Sequence, residues 1–297
     1  MREFAEPYRR GWRESVQVRE LLYDGTSEFQ HIQVLDTVPF GRMLVLDDAC
    51  QTSEVEEYIY HEMLVHVPMM AHPDPQRALV IGGGDGGALR RVLEYPVEKA
   101  TMVEIDGEVV RVSREFLLGI AGDAFEHPNT ELIIGDGVKY LRETREHFDV
   151  ILVDSTDPVG PAVELFNEEF YRNAKRAIGA NGIIVTQSGS PLVMLDELID
   201  AVERMRGIFP IVKTYLCGVP IYPGVLWSFT AASNTVDPSA ADPAQIAARL
   251  RAHGKPTGWY TPEIHRAAFA LPNFLAAALG MQTPDDPTAL PVPISGE

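Results

Sequence analysis

Acidic side chains follow four of the short apolar segments of this sequence, at the point where each segment ends. Asp85 stands in a glycine cluster after the first segment, Glu104 ends the second, Asp136 follows the third, and Asp154 and Asp157 follow the fourth. Because ligands of an open parallel sheet bind beyond the carboxyl ends of its strands, we expect these side chains to converge on one crevice. Converging carboxylates can bind cationic groups or act as general bases. The sequence therefore predicts a site for a positively charged ligand at one edge of a sheet.

The glycine cluster at residues 82–87 indicates the class of ligand. Glycines allow a tight turn and a close approach of backbone to a ligand at a helix N-terminus. Glu104 lies about 20 residues further on, where a carboxylate accepts the ribose hydroxyls of an adenosine-containing ligand. Asp85 stands where a diphosphate would approach, and its charge favours adenosine joined to a sulfonium or an amine over NAD. A plain tight turn and a solvated strand end are the alternative interpretations of these two features.

Two further acidic positions have specific hypotheses. Asp136 and Gly137 would bracket an adenine, with Asp136 accepting from its exocyclic amine, although a Gly-Asp-Gly stretch is also a good turn. Asp154 and Asp157 lie three residues apart in a loop rich in proline and glycine. They can hold a diammonium substrate, or one can be a base while the other anchors the substrate. An Asx-turn that shapes the loop is the alternative.

The first part of the chain has the pattern of a small antiparallel β domain. Residues 15–23, 29–36 and 42–46 alternate apolar and polar side chains and are separated by turns rich in Gly, Pro and Asp. Such alternation is typical of a meander. We predict a β domain over residues 1–53.

The remainder, residues 54–297, alternates helices with apolar strands. A helix is predicted over residues 56–70, and strands over 78–81, 99–105, 130–134, 148–153 and 182–186. Continuous apolar strands separated by helices predict a parallel sheet covered on both faces, which is an α/β fold. A long helix at 193–209, a final strand pair at 211–216 and 226–231, and a helical segment from residue 244 follow.

Composition and missing patterns exclude several functions. The formal charge of −18 argues against a nucleic-acid or an anionic membrane partner and favours cationic ligands. Cys50 and Cys217 form neither a disulfide framework nor a zinc site. His61 and His66 resemble a zinc motif, but their spacing is one residue too long, so the rings diverge and we predict no metal site. No Gly-x-Ser-x-Gly elbow accompanies a catalytic triad, which argues against a hydrolase of that type. Neither a signal peptide nor a membrane span is recognisable, so we expect a soluble, cytoplasmic protein.

Several motifs together resemble one known family, the polyamine aminopropyltransferases. The resemblance covers nearly the whole chain and is strongest over residues 154–161, Asp-Ser-Thr-Asp-Pro-Val-Gly-Pro. The other matching segments are residues 58–63, 82–87, 103–106, 136–137, 165–166, 222–224 and 268–272. The resemblance implies a β domain followed by a Rossmann-like, methyltransferase-type domain. It further implies transfer of an aminopropyl group from decarboxylated S-adenosylmethionine, as co-substrate and with no cofactor, to a diamine, giving spermidine and methylthioadenosine when the diamine is putrescine.

The resemblance also implies roles for individual residues. Asp154 would be the proton acceptor, and His61 and Asp85 would hold the aminopropyl or polyamine nitrogen. The diamine contacts would be Tyr60, Asp157 and Tyr222, with Gln187 lining the same cavity. The methylthioadenosine part would lie among Gln30, Gly82, Gly84, Glu104, Asp136, Gly137 and Pro161. A homodimer or a homotetramer is implied as well.

Three other functions and the choice of acceptor stay open at this stage. An S-adenosylmethionine-dependent amine methyltransferase would need no acidic clamp of the kind formed by Asp85, Asp154 and Asp157. A non-enzymatic polyamine sensor is disfavoured by an intact Asp154 and Tyr222, and a dinucleotide oxidoreductase by Asp85. The regions that shape the amine pocket, Trp12 and residues 220–222, do not align clearly. Putrescine is therefore the default acceptor, with cadaverine, agmatine or a longer polyamine as alternatives.

Overall fold

The computed structural model describes residues 2–9, 12–156 and 164–281, and its N-terminal part is a five-stranded antiparallel sheet. The strands are β1 (Arg2–Arg9), β2 (Trp12–Thr26), β3 (His31–Thr37), β4 (Gly41–Leu46) and β5 (Ala49–Ser53), paired in that order. The three segments predicted as extended overlap β2, β3 and β4, whereas the sequence pattern does not predict β1 or β5 as separate strands. The backbone N–H of Cys50 donates to Oε2 of Glu6 at 2.9 Å, so the two outer strands approach each other.

A seven-stranded sheet follows and confirms the predicted α/β fold. Its strands are β6 (Arg77–Gly82), β7 (Lys99–Glu104), β8 (Thr130–Ile134), β9 (Val150–Asp154), β10 (Ile183–Gln187), β11 (Ile211–Gly218) and β12 (Leu226–Ser233). Their spatial order is β11-β12-β10-β9-β6-β7-β8. The five from β10 to β8 are parallel, while β12 runs antiparallel to both β10 and β11, which confirms the predicted final strand pair.

The strand order places a crevice at the centre of this sheet. β6 pairs with β7 on one side and with β9 on the other, so successive connections leave the sheet in opposite directions at this point. Gly82 and Asp154 are register partners at the ends of β6 and β9. A topological switch point of this kind is where open α/β sheets bind ligands. The glycine cluster and the Asp154 loop therefore meet at the expected position.

Helices cover both faces of the large sheet. They are α1 (Glu57–Ala71), α2 (Gly87–Val92), α3 (Gly107–Phe116), α4 (Leu118–Ala121), α5 (Gly137–Glu143), α6 (Glu168–Ala177), α7 (Leu195–Arg206), α8 (Pro243–His253), α9 (Pro262–Ala268) and α10 (Asn273–Ala278). The predicted helix at 56–70 is confirmed as α1, and the one at 193–209 is confirmed as the shorter α7. None of the helices in the described ranges has the length and apolar character that a bilayer crossing requires.

Helix α1 is buried on all sides and is fastened by residues from far along the chain. It packs in one core cluster with side chains of both sheets. Arg249 donates to the carbonyl oxygens of Met69, Met70 and His72 at 2.6–3.0 Å and so satisfies the C-terminal end of the helix. The carboxylate of Glu62 accepts from the backbone N–H groups of residues 258–260 at 2.7–2.8 Å. These contacts fix the helix that carries Tyr60 and His61.

Candidate active site

The glycine loop brings the ends of β6 and β9 into direct contact. Gly82 has φ +82°, and a Cβ at this position would overlap the carbonyl oxygen of Asp154. The N–H of Gly83 donates to that carbonyl at 2.7 Å, and a Cβ on Gly83 would lie 2.9 Å from Oδ2 of Asp154. Both residues therefore need to be glycine, because both have positive φ and a side chain would meet the backbone carbonyl of Asp154 at Gly82 and its carboxylate at Gly83.

The carboxylate of Asp154 accepts one hydrogen bond from the described residues. Its Oδ1 accepts from the hydroxyl of Tyr60 at 2.7 Å, and its Oδ2 is buried without a hydrogen-bond partner among the described residues. Burial and the nearby Asp85 raise the pKa of Asp154 to about 6, although the charge of His61 and the Tyr60 hydrogen bond act in the opposite direction. A carboxyl with a pKa near neutrality and a free oxygen can accept a proton from a bound amine.

His61 lies between two carboxylates. Its Nδ1 is 2.8 Å from Oε2 of Glu57, and its Nε2 is 3.5 Å from Oδ1 of Asp85. Burial opposes protonation, but Asp85 and Glu57 outweigh it and raise the pKa of His61 well above its usual range. In return the His61 charge and the N–H of Gly87, 2.6 Å away, overcome the effect of burial and hold the pKa of Asp85 below its usual value. The positive charge of His61 and the negative charges of Glu57 and Asp85 therefore stabilise each other in this part of the site.

The two histidines of the rejected zinc motif take different partners. His61 faces Asp85, whereas Nδ1 of His66 lies 2.8 Å from the hydroxyl of Tyr95. Burial lowers the pKa of His66 to about 3, so this ring is neutral. Within the described ranges, no three His, Cys, Asp or Glu side chains are grouped so that they could hold a metal ion.

Glu104 forms the wall of the crevice next to the glycine loop. It is 7% exposed, and its Oε1 accepts from the N–H of Asp106 at 2.8 Å. Burial, followed by the charges of Asp106, Asp154 and Asp85, raises the pKa of Glu104 to about 7. A Cβ on Gly84 would lie 3.1 Å from Oε2 of Glu104, so that oxygen borders the glycine loop.

Beyond Glu104 the crevice opens into a cleft of about 710 Å³ between the β2–β3 turn and the ends of β7 and β8. Asp106 and Asp136 line this cleft. Asp106 accepts from Nε2 of Gln30 at 2.9 Å, from the hydroxyl of Ser27 at 2.6 Å and from the N–H of Glu108 at 3.0 Å. The amide of Gln30 is thereby fixed at the rim of the cleft.

Asp136 and Gly137 also have structural roles. Oδ1 of Asp136 accepts from the N–H groups of Val138 and Lys139 at 2.8 and 3.1 Å, which caps helix α5. A Cβ on Gly137 would overlap the side chain of Ile81, so the glycine allows α5 to pack against β6. The structure therefore has a helix cap at Asp136 in place of the turn considered as the alternative, and the exposed Asp136 also lines the cleft.

Aromatic side chains line the opposite end of the crevice. The rings of Tyr60 and Tyr222 are 5.7 Å apart and edge-on, and Trp227 packs 4.3 Å from Tyr222. The hydroxyl of Tyr222 donates to the carbonyl of Gln51 on β5 at 2.6 Å, so the N-terminal sheet supports this ring. Trp12 lies close by, 3.5 Å from where a Cβ on Gly224 would stand.

Gln187 ends β10 beside the Asp154 loop. Its Nε2 donates to the carbonyl oxygens of Ser155 and Thr156 at 3.2 and 3.4 Å, and its Oε1 accepts from the N–H of Gly189 at 2.9 Å. Asp157 and Pro161, also predicted to take part, lie outside the described residues.

The sequence interpretation missed one buried group of this site, Glu57. It stands four residues before His61 on a helix, a spacing that brings two side chains together, and this was the available signal. Its other partner, Arg91 on α2, is 3.0 Å from Oε1 and gives no local sequence signal.

Comparisons with known proteins identify the family. The model of the spermine/spermidine synthase domain matches residues 57–241, and that of the spermidine synthase tetramerisation domain matches residues 3–54. A polyamine aminopropyltransferase of Desulforudis audaxviator is 51% identical over 263 residues, which are 88% of this chain and 93% of that protein. That of Bacillus subtilis is 42% identical over 264 residues, with the same coverage of 88% and 93%.

Solved structures agree with this result. A crystal structure of spermidine synthase in complex with the transition-state analogue AdoDATO matches with a TM-score of 0.89 and 37% identity, covering 94% of both chains. Spermidine synthase from Thermotoga maritima gives a TM-score of 0.88 and 37% identity, again over 94% of both chains. The chain therefore belongs to the spermine/spermidine synthase family.

Proposed function

We propose that this polyamine aminopropyltransferase transfers the aminopropyl group of decarboxylated S-adenosylmethionine to a diamine, with putrescine as the first candidate. The observation that carries the proposal is the Asp154 carboxylate, which lies beside the Asp85–His61 pair and whose buried Oδ2 has no hydrogen-bond partner within the described ranges. The similarity to structures of spermidine synthase, one of them with a transition-state analogue, supports the same reaction.

The donor would lie along the crevice with its nucleoside toward the cleft. Glu104 would accept hydrogen bonds from the ribose hydroxyls, while Gly82 and Gly84 let the backbone approach the sulfonium end. Gln30, Asp136 and Gly137 would surround the adenine and ribose, and Pro161 would complete this part of the site. For the described residues these assignments rest on where they border the crevice and on the family motifs, and for Pro161 they rest on the family motifs alone.

The acceptor would lie on the aromatic side. Tyr60, Tyr222 and Gln187 would line its path, and Asp157 would hold an ammonium group together with Asp154. An alkyl ammonium has a pKa of about 10.4, so forming the free amine at pH 7 requires roughly 4–5 kcal/mol. Asp154 would accept the proton, and the partial desolvation that raises its own pKa also disfavours the ammonium.

The chemical step would be an in-line displacement. The free amine nitrogen forms a bond to the propyl carbon while the carbon–sulfur bond breaks, and sulfur leaves as the neutral thioether of methylthioadenosine. Since a sulfonium is an excellent leaving group, alignment of nitrogen, carbon and sulfur is the main task of the enzyme. We propose that neither a cofactor nor a metal takes part, because the donor already carries its leaving group.

Asp85 would select the donor. Its carboxylate would pair with the ammonium of the propylamine, whereas ordinary S-adenosylmethionine would place its own carboxylate nearby. Like charges at short distance disfavour that donor. The His61 ring would keep Asp85 ionised for this task.

The protein is a homo-oligomer, as its match to a tetramerisation domain indicates. We propose a tetramer in which residues 1–53 form the N-terminal domain and residues 54–297 the catalytic one. Light scattering of the purified protein measures its oligomeric state directly, and a monomer would contradict the proposed tetramer.

Product analysis tests the reaction. The protein is incubated with decarboxylated S-adenosylmethionine and, separately, putrescine, cadaverine, agmatine and spermidine, and the products are measured by mass spectrometry. We expect methylthioadenosine and an aminopropylated amine in equal amounts. A parallel incubation with S-adenosylmethionine that yields a methylated amine instead would refute aminopropyl transfer.

A further inference from the structure

A row of buried ions continues from the site into the protein, on the side of His61 away from the crevice. Glu57 and Arg91 are each 7% exposed, and His61 is 1% exposed. Glu57 uses both oxygens: Oε2 lies 2.8 Å from Nδ1 of His61, and Oε1 accepts from Arg91 at 3.0 Å. The other guanidinium nitrogen of Arg91 donates to Glu94 at 3.0 Å, so its direction is fixed as well.

The arrangement of partners around the ring decides how many protons His61 carries. A neutral imidazole has one N–H group and one lone pair, whereas an imidazolium has two N–H groups. Oε2 of Glu57 lies near Nδ1 of the ring, and Oδ1 of Asp85 lies near Nε2. An ionised carboxylate has no proton to donate, so each of these groups can only accept a hydrogen bond. A neutral ring would turn a lone pair toward one of these two carboxylates. Only the imidazolium presents an N–H group to both.

We propose that Glu57, oriented by Arg91, is a positioning residue that keeps the His61 ring doubly protonated, and that this ring fixes the direction of Asp85 and places a permanent positive charge beside Asp154. This inference rests on the proposed function, since Asp85 and Asp154 are the groups that would contact the substrates. Glu57 itself reaches them only through His61.

The packing around the ring supports the inference. A Cβ on Gly87 would overlap the imidazole, so the start of helix α2 lies directly against His61. The N–H of the same Gly87 donates to Oδ1 of Asp85 at 2.6 Å. Asp85 is therefore held from two directions, by the backbone of α2 and by the ring. A change in the charge of the ring would alter one of these two contacts.

Groups from several elements face His61 and Asp154 and share in their charge balance. Glu56, the residue before α1, has its carboxyl within electrostatic range of His61, and Tyr60 on α1 has its ring edge-on to the His61 ring at 5.3 Å. The loop after β6 provides Asp85, and β7 ends with Glu104 in electrostatic range of Asp154. Since Glu57 contacts the ring at Nδ1, on the side away from the crevice, its replacement removes none of these groups.

The first test is the pH profile of Glu57→Gln. The amide of glutamine can donate to Nδ1, so the ring becomes neutral and donates from Nε2 to Asp85. Without the ring's positive charge the pKa of Asp154 rises, and the acidic limb of kcat/KM should move to higher pH by roughly half to one unit. At pH 6 kcat/KM should fall about three-fold relative to wild type, while the plateau above pH 8 is retained.

Glu62→Gln is the matched control. Glu62 is buried on the same helix, but it binds the backbone of residues 258–260. We expect a lower melting temperature for Glu62→Gln with the acidic limb in its wild-type position. An unmoved limb in folded Glu57→Gln, verified by circular dichroism, would overturn the inference.

A second measurement uses the wild-type enzyme and does not depend on how the variant folds. ¹⁵N NMR of histidine-labelled protein reports the protonation of both ring nitrogens, and the His61 signals are assigned by their loss in His61→Gln. At pH 8 we expect both nitrogens of His61 in the imidazolium range. Absent product in the wild-type assay refutes the function, whereas normal turnover with a neutral His61 ring at pH 8 refutes this inference alone.

Discussion

The two ends of the crevice use the same residue type differently. At its open end, Asp106 and Asp136 each accept from the N–H groups that begin a helix, and Asp106 also accepts from two side chains. At its closed end, Glu104 accepts one N–H and Asp154 one hydroxyl, and Oδ2 of Asp154 has no partner among the described residues. Carboxylates at strand ends therefore differ in how many of their oxygen lone pairs the protein itself occupies.

This difference has an energetic consequence. The pKa of Asp154 is raised to about 6 and that of Glu104 to about 7, chiefly by burial, so their ionised forms are unfavourable in the folded protein. A raised folded-state pKa means that stability present at low pH is lost as the pH rises through that value. We expect bound cationic substrates to restore this lost stability. Burial of these two ionised carboxylates therefore destabilises the closed end at neutral pH when no substrate is bound.

The comparison is tested most severely by Asp154→Asn. We expect kcat to fall by about 10³-fold, since a general base typically contributes 10²–10⁴-fold, while the KM for the donor changes little. Steady-state kinetics with both substrates measures this. Asp136→Asn at the open end is the matched control, and equal losses in the two variants would break the distinction between the ends.

Glu104→Gln should separate stability from binding. The shift of the Glu104 pKa from 4.5 to about 7 corresponds to about 3 kcal/mol at pH 8, which the uncharged amide recovers. We expect a higher melting temperature than wild type at pH 8, no difference at pH 4, and a donor KM about ten-fold higher. A melting temperature that is unchanged at pH 8 would show that burial of the ionised Glu104 carboxylate does not destabilise the protein.

The pH dependence of the wild type provides a third measurement. Asp154 must be ionised to accept a proton, and its pKa is about 6. At pH 5 about a tenth of the molecules have it ionised, so kcat/KM should be about ten-fold below its plateau. A profile that is flat between pH 5 and 8 would contradict Asp154 as the base.

Asp85→Asn addresses selection rather than turnover. Without the negative charge, the repulsion of S-adenosylmethionine disappears together with the ion pair to the donor's ammonium. In a competition assay, the preference for the decarboxylated donor should fall about ten-fold. The same preference in variant and wild type would assign discrimination to another group.

The smallest effect is expected at the open end. Asp136→Ala removes the cap of α5 and should lower the free energy of unfolding by about 1 kcal/mol. Asparagine caps equally well, so Asp136→Asn should unfold like the wild type. Urea denaturation measures both variants, and equal losses for alanine and asparagine would mean that the charge and not the cap stabilises the helix.

Much of this arrangement could be predicted from the sequence, because strand ends are local features. Apolar segments fix where β6 to β10 end, and the carboxylates that follow them converge wherever the strands run parallel. The sequence could not show which carboxylates cap helices, since that depends on side-chain direction. For the same reason Asp136 was interpreted as a ligand contact without its cap.

Contacts between distant segments could not be predicted from the sequence. Glu57 is fixed by Arg91 on another helix, and the first strand, β1, was not singled out. Strand β1 contains Pro7 and many polar residues, and it is defined by its pairing with β2 more than by its own pattern. Such elements become recognisable only when their partners are known.

The fastening of α1 by Arg249 and by the backbone of residues 258–260 has a consequence for biosynthesis. These residues leave the ribosome long after the helix that bears Tyr60 and His61. A nascent chain that already contains both sheets still lacks the hydrogen bonds that hold this helix in place. Catalytic competence should therefore appear only after these residues have been added, and a chain that stops near residue 245 should lack activity because nothing holds the ends of this helix.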